Sequence, residues 1–477
     1  MKTAAEYFDS LARMKHNVFM GGQKIDRPYE HPQIRTGAAV IALTYDLAGE
    51  PGNQELMTAK SHLSGEQINR FTHIHQSTDD LRRKIQMTRE CCRHTLCIQR
   101  CMGVDALNAL SIITHQIDRT TGSSYHARFN QFLERFQDQD LTGNAAMTDV
   151  KGDRSLRPHQ QGDPDMYLHV LERTGEGIVV RGAKAHNTTA PYAHELIVLP
   201  TREMTEQDAA YAVAFAVPAD TEGITMICRS TSPREPRRAS RPLSSRYSTV
   251  ESVTVFDNVF VPWERVFMCG EWQFAGALAE LFATYHRHSY CGCKPAITDV
   301  LLGCAALAAD YNGVEKASHI RSKLVDLIAA AEIVHACGIA ASVNGRPTPC
   351  GTYLPDLVYS NIGKYYSGTT LHHEYELLHD IAGGLVVTMP PEEDFEQSPT
   401  AGYLDKYLRG RADISTADRI RCFRLIEDIT ASATGGLLLV AGIHGGGSPE
   451  AEKITIFRQY DIAARKALAR RLAGIEA

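Results

Sequence analysis

The periodicity of apolar positions changes twice along the chain. Through the first 140 residues apolar positions recur with helical spacing, and the clearest helices are predicted at 76–101, 103–117 and 125–138. Short apolar runs between Gly, Pro, Asn and Asp turns follow, and they predict strands at 177–181, 194–199, 211–217 and 252–257. Long Ala-rich helical runs then return, at 274–289, 296–311, 314–344 and 415–442.

This pattern predicts a mixed α+β protein with three domains. The predicted units are an N-terminal helical domain at 1–140, a central β-barrel or sandwich at 141–272 and a C-terminal helical bundle at 273–477. A chain of 477 residues is long enough to form two or three domains, each with its own core.

Charge and cysteine content narrow the class of protein. The formal net charge of −6 gives no general basic field for nucleic acid. The N-terminus lacks the apolar core of a secretion signal, and no run of 18 apolar residues predicts a membrane span. Twelve cysteines in such a chain are more typical of reduced thiols and metal ligands in a cytoplasmic protein than of disulfides. The basic, Pro-rich segment 230–248 predicts a mobile loop or a charged surface patch.

Residues 286–294 (HRHSYCGCK) concentrate more chemistry than any other stretch. On a helix, His286, Tyr290, Cys293 and Lys294 lie on one face because they are spaced at i, i+4, i+7 and i+8. Thiolate and imidazole on one face suit zinc or an iron–sulfur cluster. This stretch supplies only two ligands, so further ligands are expected from elsewhere in the chain.

A second pair of thiols could supply those ligands. Cys97 and Cys101 are four residues apart, which places them one turn apart if the helix predicted at 76–101 continues through them. Together with His286 and Cys293 they would form a Cys3His site. The alternative is that these are ordinary buried thiols at helical spacing.

Three other segments are candidates for contact with a cofactor. Met147–Ser155 (MTDVKGDRS) opens the β region with short polar side chains and a glycine, and Thr188 follows a predicted strand. The glycines of Ile381–Leu385 (IAGGL) would allow a backbone to approach a ligand or a neighbouring subunit. Glu251 begins a predicted strand and could be a general base beside a cofactor, or a solvated strand end.

Taken together, the motifs resemble a known family. The blocks are, in order, CIQRC, MTDVKGDRS, RGAKAHNT, FDNVFVPWER, YHRHSYCGCK, LAADYNG, IAGGLVVTMP and HGGGSPEA. In this order they resemble the 4-hydroxybutyryl-CoA dehydratases, the iron–sulfur branch of the 4-hydroxyphenylacetate 3-hydroxylase family of flavoproteins. The resemblance covers nearly the whole chain, and its most specific blocks are CIQRC and HRHSYCGCK.

The resemblance implies a fold, cofactors and roles for individual residues. It implies an acyl-CoA-dehydrogenase-like fold with a central β-barrel, a homotetramer, FAD and a [4Fe–4S] cluster. The implied cluster ligands are Cys97, Cys101, His286 and Cys293. The residues implied in catalysis or beside the substrate are His286, Glu251, Tyr290 and Lys294. The segments implied to hold FAD contain Met147, Thr148, Lys151, Thr188, Gly383 and Gly384.

The resemblance also implies a reaction. Water leaves a 4-hydroxyacyl thioester, and a ketyl-type radical makes the Cβ proton acidic. Flavin lends and recovers one electron, an exposed iron assists the departing hydroxyl, and His286 is the family's candidate base. The same machinery would shift a double bond between the β,γ and α,β positions.

One position departs from the resemblance. The family has a glutamate three residues before the histidine of its HGAGSP-like motif, where this chain has Ala441 before His444. A methyl group cannot transfer a proton, so another acid, another substrate or an altered dehydration step is expected. Glu450 and Glu452 follow, but their helical spacing does not predict that they replace it.

Two other functions fit parts of the pattern. A two-component flavin monooxygenase of a phenolic substrate would share the fold and need no cluster, and Cys97, Cys101 and Cys293 would then be buried thiols. A non-catalytic scaffold or redox sensor that keeps the cofactors is favoured only by Ala441. The acyl group and its carrier are not fixed by the sequence.

Overall fold

The main elements follow the predicted order along the chain, with a mostly helical region, a region of strands and a second helical region. The computed structural model describes residues 1–234, 238–396 and 399–475. The helices are α1 (Ala4–Ala12), α2 (Pro32–Gly49), α3 (Gln54–Met57), α4 (Thr78–Thr95), α5 (Cys101–Thr121), α6 (Tyr125–Asp138), α7 (Ala275–Tyr311), α8 (Ser318–Val343), α9 (Leu357–Ala382), α10 (Leu385–Thr388), α11 (Glu392–Glu396), α12 (Thr400–Tyr407), α13 (Thr416–Thr430), α14 (Ala433–His444), α15 (Pro449–Gln459) and α16 (Ile462–Ala473).

The strands form two larger sheets and two small hairpins. They are β1 (Val18–Met20), β2 (Gln23–Ile25), β3 (Thr58–Lys60), β4 (Gln67–Asn69), β5 (Gly143–Ala146), β6 (His169–Arg173), β7 (Gly177–Lys184), β8 (Glu195–Val198), β9 (Val213–Pro218), β10 (Ile224–Ser230), β11 (Val250–Pro262), β12 (Val266–Cys269), β13 (Arg346–Pro347) and β14 (Tyr353–Leu354). One sheet has the order β2-β1-β10-β11-β7-β6, and the other has the order β12-β9-β8-β5.

The central region is not the β-barrel that we expected. Within the described residues both larger sheets are open, because β2 and β6 are edges of one sheet and β12 and β5 are edges of the other. Burial alternates along β7 from Ile178 onward, and it alternates along β11 up to a register shift between Phe256 and Val259. Such alternation is also typical of barrel strands, which is why sequence alone did not distinguish the two arrangements.

Strand β1 joins the N-terminal region to the central sheet. It pairs in parallel with β10, with Val18 opposite Met226. The division into domains at residues 140 and 272 remains a prediction.

The helix predicted at 76–101 is broken before its last turn. Helix α4 is capped by the Ser77 side chain and ends at Thr95, and α5 begins at Cys101. Between them the backbone of Leu96 has φ 64° and that of Gln99 has φ 60°, both in the left-handed region that ends helices. Cys97 and Cys101 therefore do not share a helical face as predicted. They lie on a loop and at a helix start.

Helix α7 is the centre of the C-terminal region, and it packs against α4, α5, α8, α9 and α13. It joins two runs that the sequence pattern had separated at Pro295. Proline cannot donate to the carbonyl four residues earlier, which belongs to Cys291. The helix nevertheless continues through Pro295. The run predicted at 415–442 is instead two helices, because Ser432 caps α14.

Two helices, Trp272–Tyr311 and Ser318–Val343, are long and apolar enough to cross a membrane by length and composition. A bent pair, Thr416–Thr430 with Ala433–Gln459, passes the same test when taken together. In the first helix 67% of the apolar window is buried inside the protein, and in the second 33% is buried. Packing against other helices thus accounts for most of the apolar surface of α7.

Candidate functional site

The candidate site begins where the loop between α4 and α5 meets the middle of α7. Cys101 is the first residue of α5, and Cys293 and His286 lie on the inner face of α7. All three are nearly buried, with 7%, 8% and 8% of their surface exposed. Cys97 lies between the two left-handed residues of the loop and is partly exposed.

The thiols form one cluster. A hydrogen bond between Cys97 and Cys293, followed by burial, raises the pKa of Cys97 well above its usual value. Burial, Asp105 and the two neighbouring thiols raise the pKa of Cys101 in the same direction. A contact with Cys92 is the largest cause that raises the pKa of Cys293, to about 12. Buried thiols this close together are candidate metal ligands, because a bound cation would stabilise them as thiolates.

A buried carboxylate orients the imidazole. Asp105 Oδ2 lies 2.9 Å from His286 Nδ1, and Ser289 donates to both oxygens of Asp105 at 3.0 Å. Lys84 Nζ lies 2.6 Å from Asp105 Oδ1, and both side chains are buried. Because Asp105 takes the Nδ1 side of the ring, Nε2 is the nitrogen left to bind a metal. The ligand atoms of Cys101, Asp105 and His286 lie within 4.8 Å of one another.

The pattern of bonds assigns Asp105 a supporting role. Its oxygens already accept from Lys84, Ser289 and His286, as carboxylates behind metal-bound histidines do. The remaining donors, three thiols and one imidazole, are soft ligands suited to zinc or an iron–sulfur cluster.

Tyr290 and Lys294 continue the same face of α7, as the helical spacing predicts. The rings of His286 and Tyr290 are 5.1 Å apart, and Lys294 Nζ lies 5.0 Å from the Tyr290 ring centroid. The Tyr290 hydroxyl donates to the carbonyl of Ala441 at 3.2 Å. A Cβ at Gly445 would overlap this hydroxyl, so the tyrosine position requires a glycine there.

The segment from Ala441 to Gly447 is held against α7 and α9. Arg287 Nε donates to the carbonyl of Gly446 at 2.8 Å, and its guanidinium also bonds Asn361. Lys364 Nζ donates to the carbonyls of Gly442 and Ile443, at 3.1 and 3.2 Å. The segment that carries Ala441 is therefore fixed directly beside Tyr290.

A buried ion pair adjoins this segment. Glu452 Oε1 of α15 lies 3.2 Å from Lys364 Nζ of α9, and neither side chain is exposed. Burial lowers the pKa of Lys364 to about 8 and raises that of Glu452. Helical spacing did not predict this position for Glu452, since the turn at Gly445–Gly447 brings α15 back toward α9.

Glu251 lies on the other side of the α4–α5 loop. Thr188 donates to both of its oxygens, at 2.8 and 2.9 Å, yet burial raises the pKa of Glu251 to about 7. Gln99 connects this strand to the thiol loop, because it accepts from Tyr192 at 2.6 Å and donates to the carbonyl of Ser248 at 3.0 Å. A carboxyl with a pKa near 7 is suited to general acid–base chemistry.

The segment predicted to hold a flavin is anchored by a buried ion pair. Lys184 Nζ lies 2.7 Å from Asp149 and donates to the carbonyl of Met147 at 3.0 Å. Thr148 is held against the end of β7, because its carbonyl accepts a hydrogen bond from the backbone of Ala185. Lys151 follows with its backbone in the left-handed region, at φ 70°. Beside Thr188, the polar atoms Asn187 Nδ2 and Thr189 Oγ1 are buried without hydrogen-bond partners among the described residues. These atoms could serve a bound polar ring system.

Two expected elements lie elsewhere. Gly383 and Gly384 end α9 on the surface, and a Cβ at either would meet no atom of this chain within 4 Å. The basic segment 230–248 contains residues 235–237, which are outside the described residues. Its following part is packed at Leu243 and Ser244, whose backbones donate to Asp428 of α13, while Arg238 and Arg246 are exposed.

Sequence reasoning missed five residues that complete the site. Asp105 had a usable signal, since it follows Cys101 by one helical turn on α5. The others had none, because their positions depend on how distant helices pack. These residues are Lys84, Cys92, Lys364 and Glu452.

Comparisons with known proteins agree along the whole chain. The family models for the 4-hydroxyphenylacetate 3-hydroxylase N terminal and C terminal match residues 3–268 and 275–474. The 4-hydroxybutyryl-CoA dehydratase/vinylacetyl-CoA-Delta-isomerase of Clostridium aminobutyricum is 44% identical over 489 residues, and the match covers 100% of each chain.

Solved structures of proteins from this group also match nearly the whole chain. An oxygen-tolerant archaeal 4-hydroxybutyryl-CoA dehydratase from N. maritimus is 39% identical, with a TM-score of 0.96 over 100% of this chain and 95% of that chain. The oxygenase component of 4-hydroxyphenylacetate 3-monooxygenase, solved with FAD and 4-hydroxyphenylacetate, is 27% identical, with a TM-score of 0.90 over 99% and 98%. Glutaryl-coenzyme A dehydrogenase, at 14% identity and a TM-score of 0.51 over 85% and 82%, shares the fold alone.

Proposed function

The chain belongs to the 4-hydroxyphenylacetate 3-hydroxylase family, and from this premise we propose that it is a 4-hydroxyacyl-CoA dehydratase with double-bond isomerase activity. The full-length likeness to the clostridial dehydratase/isomerase supports this function over that of the more distant monooxygenases. The observation that carries it is the cluster of Cys97, Cys101 and Cys293 beside an oriented His286. A phenol monooxygenase has no need of such a cluster.

We propose FAD and a [4Fe–4S] cluster as cofactors. Three clustered thiols and a free Nε2 of His286 fit the four ligands of a cluster. The unpartnered polar atoms of Asn187 and Thr189 fit a flavin, and the likeness to an FAD-bound oxygenase component supports it. When bound, these groups supply a one-electron carrier and a Lewis-acidic iron.

The side chains around these groups have distinct proposed tasks. Asp105 holds His286 at Nδ1, and this keeps the other ring nitrogen directed at the cluster ligand position. Tyr290 and Lys294 contact the substrate beside it. Glu251, with a pKa of about 7, accepts or returns a proton on the side of Thr188. Met147, Thr148, Lys151 and Thr188 line the proposed flavin position.

We propose that the protein is a cytoplasmic homotetramer. All twelve cysteines are free, which is typical of a reducing compartment. Apolar side chains remain exposed on α8 and α15, among them Val325 at 60% and Phe457 at 71%. Such surfaces are typical of subunit contacts. Gly383 and Gly384, exposed at the end of α9, would reach the flavin of a neighbouring subunit.

Anaerobic purification tests the proposal. The expected product is a brown protein that contains iron, acid-labile sulfide and FAD and converts 4-hydroxybutyryl-CoA to a dehydrated, conjugated thioester. A purely yellow protein that uses reduced flavin and oxygen to hydroxylate 4-hydroxyphenylacetate would establish the monooxygenase function instead. A cofactor-loaded protein that converts neither substrate would favour the scaffold function. The effect of Ala441 on substrate choice is tested by comparing hydroxyacyl thioesters of different chain length.

A further inference from the structure

Glu452 is a buried carboxylate without a directed hydrogen bond. Its side chain is 0% exposed, and among the described residues neither of its oxygens has a hydrogen-bond partner of good geometry. Its ion pair with Lys364 balances the charge but leaves the oxygens available. Burying a carboxylate in this way is costly, and proteins retain such groups chiefly at functional sites.

Basic side chains from α7 and α9 surround Glu452. Lys364, from α9, also lies 5.1 Å from the ring centroid of Tyr290. Arg287, from α7, acts electrostatically on Glu452, and Lys294 acts on Lys364. Glu452 is therefore the acidic member of a group of cations gathered around the tyrosine that follows His286 by one turn.

The other carboxylates near α7 are already engaged. Asp105 accepts from Lys84, His286 and Ser289. Glu374 accepts from Thr298 at 2.7 Å on one oxygen and from Thr370 at 2.9 Å on the other. Glu452 alone among these three has oxygens without hydrogen bonds, so it alone can meet a substrate atom without breaking a bond first.

We infer that Glu452, held by Lys364, is the carboxyl group that protonates the hydroxyl leaving the substrate; this inference rests on the proposed function. The carbon–oxygen bond breaks with its electron pair on oxygen, the oxygen takes the proton from Glu452 and departs as water. The Cβ proton goes to the base, and its bonding pair forms the new double bond. Glu452 is left as a carboxylate whose charge Lys364 balances.

Two features support this assignment. Burial raises the pKa of Glu452 and lowers that of Lys364, so that the carboxyl holds its proton more readily than a glutamate in water. The Lys364 ammonium also bonds the carbonyls of Gly442 and Ile443, directly after Ala441. Glu452 therefore reaches the region of position 441, where a methyl group cannot move a proton.

Comparing two reactions of the same enzyme tests the inference. Dehydration of 4-hydroxybutyryl-CoA releases a hydroxyl, whereas isomerisation of vinylacetyl-CoA does not. E452Q should lower kcat for dehydration by about 100-fold or more, in the range of general acid catalysis, and change isomerisation by less than about threefold. E450Q is the matched control, because Glu450 lies on the same helix turn with 73% of its side chain exposed, and both reactions should be unchanged.

Two more measurements keep the test decisive if E452Q folds poorly. E452D retains the charge opposite Lys364 but withdraws the carboxyl, so the ratio of dehydration to isomerisation should fall by about tenfold. In infrared spectra, the carbonyl band of a protonated carboxyl that E452Q removes should persist to higher pH than that of an ordinary glutamate.

Each alternative outcome overturns the inference. An unchanged ratio in E452Q and E452D, whether both reactions persist or fall together with iron and flavin content, would make Glu452 structural. Absence of any E452Q-dependent carboxyl band would exclude a proton held there. A wild-type enzyme that is loaded with cofactors but converts neither thioester overturns the proposed function and this inference together.

Discussion

One face of helix α7 has two acidic side chains beside it that are held in opposite ways, Asp105 next to His286 and Glu452 near Tyr290. On the side of His286, Asp105 is saturated with hydrogen bonds and fixes an imidazole among clustered thiols. On the side of Tyr290, Glu452 has a cation beside it but no directed hydrogen bond. A saturated carboxylate orients a ligand, and an unsaturated one is free to give or take a proton. The same face of α7 therefore has a part that can hold a group, which we call the holding side, and a part that we propose moves a proton, which we call the proton-moving side.

Removing one thiol should have the largest effect and would show whether the holding side holds a cluster. C101A should lose iron and acid-labile sulfide, and dehydration and isomerisation should both fall by more than about 100-fold, beyond the effect of losing an outer-shell partner. The measurements are metal and sulfide content, the visible spectrum and both rates.

C304A is the control for a buried thiol outside the cluster. Cys304 lies in the core between helices and is 4% exposed. It should keep iron, flavin and both activities. If C101A also kept them, the thiols would be ordinary core residues and the distinction between the holding side and the proton-moving side would fail.

Loss of the orienting carboxylate should have the next largest effect. D105N should reduce iron retention or activity by about 10- to 100-fold, because the imidazole loses its fixed tautomer and orientation. It should also destabilise the fold by about 3–5 kcal/mol, because Lys84 is left buried without its partner. Metal content and the thermal midpoint measure the two effects.

A second variant separates these two effects of D105N. The double variant D105N/K84M removes both buried charges, so its stability should recover while its iron retention stays low. Full recovery of iron in the double variant would mean that Asp105 serves only to balance Lys84.

The holding side could be predicted from sequence because its residues lie in two short segments. Spacing on one helix brought His286, Tyr290, Cys293 and Lys294 together, and the structure places them on one face of α7. The same reasoning failed for Cys97 and Cys101. The left-handed residues Leu96 and Gln99 interrupt the helix after α4, so the two cysteines do not lie on one continuous helix. The thiols meet those of α7 through tertiary packing, which local spacing does not encode.

The positions of Lys364 and Glu452 near Tyr290 could not be predicted, since each of the three residues comes from a different helix. Lys364, Glu452 and Tyr290 are far apart in sequence, and the turn after α14 decides where α15 returns. The open sheets were missed for a related reason. Alternating apolar and polar residues show which face of a strand is buried. Whether a sheet closes into a barrel depends on whether its two edge strands pair with each other, which this alternation does not show.

A pair of glycine substitutions sharpens the comparison through packing. G445A should destabilise the protein by about 1–3 kcal/mol, because its Cβ would overlap the Tyr290 hydroxyl and the segment cannot shift freely. Dehydration should fall with the displaced tyrosine.

G436A, inside α14, is the matched control for Gly445, which directly follows that helix. A Cβ there would meet nothing within 4 Å, and alanine should raise stability by about 0.4–1 kcal/mol. Thermal unfolding midpoints that move in opposite directions would agree with this prediction. Equal shifts would mean that Tyr290 does not depend on Gly445.

The smallest expected effect concerns Glu251, a third carboxylate that is intermediate between the other two. Thr188 donates to both of its oxygens, and burial raises the pKa of Glu251 to about 7 although these two bonds act in the opposite direction. T188V removes the bonds that favour the carboxylate, so the pKa should rise further. If Glu251 acts as a base, activity increases as pH rises through its pKa. The acid limb of the kcat profile should then move upward by about one pH unit or less.

T188S keeps the hydroxyl and should retain the wild-type profile, and at pH well above 8 all three proteins should have similar rates. A profile that does not move in T188V would show that the titration of Glu251 does not limit the reaction, leaving Glu452 as the acidic group of the site whose proton matters.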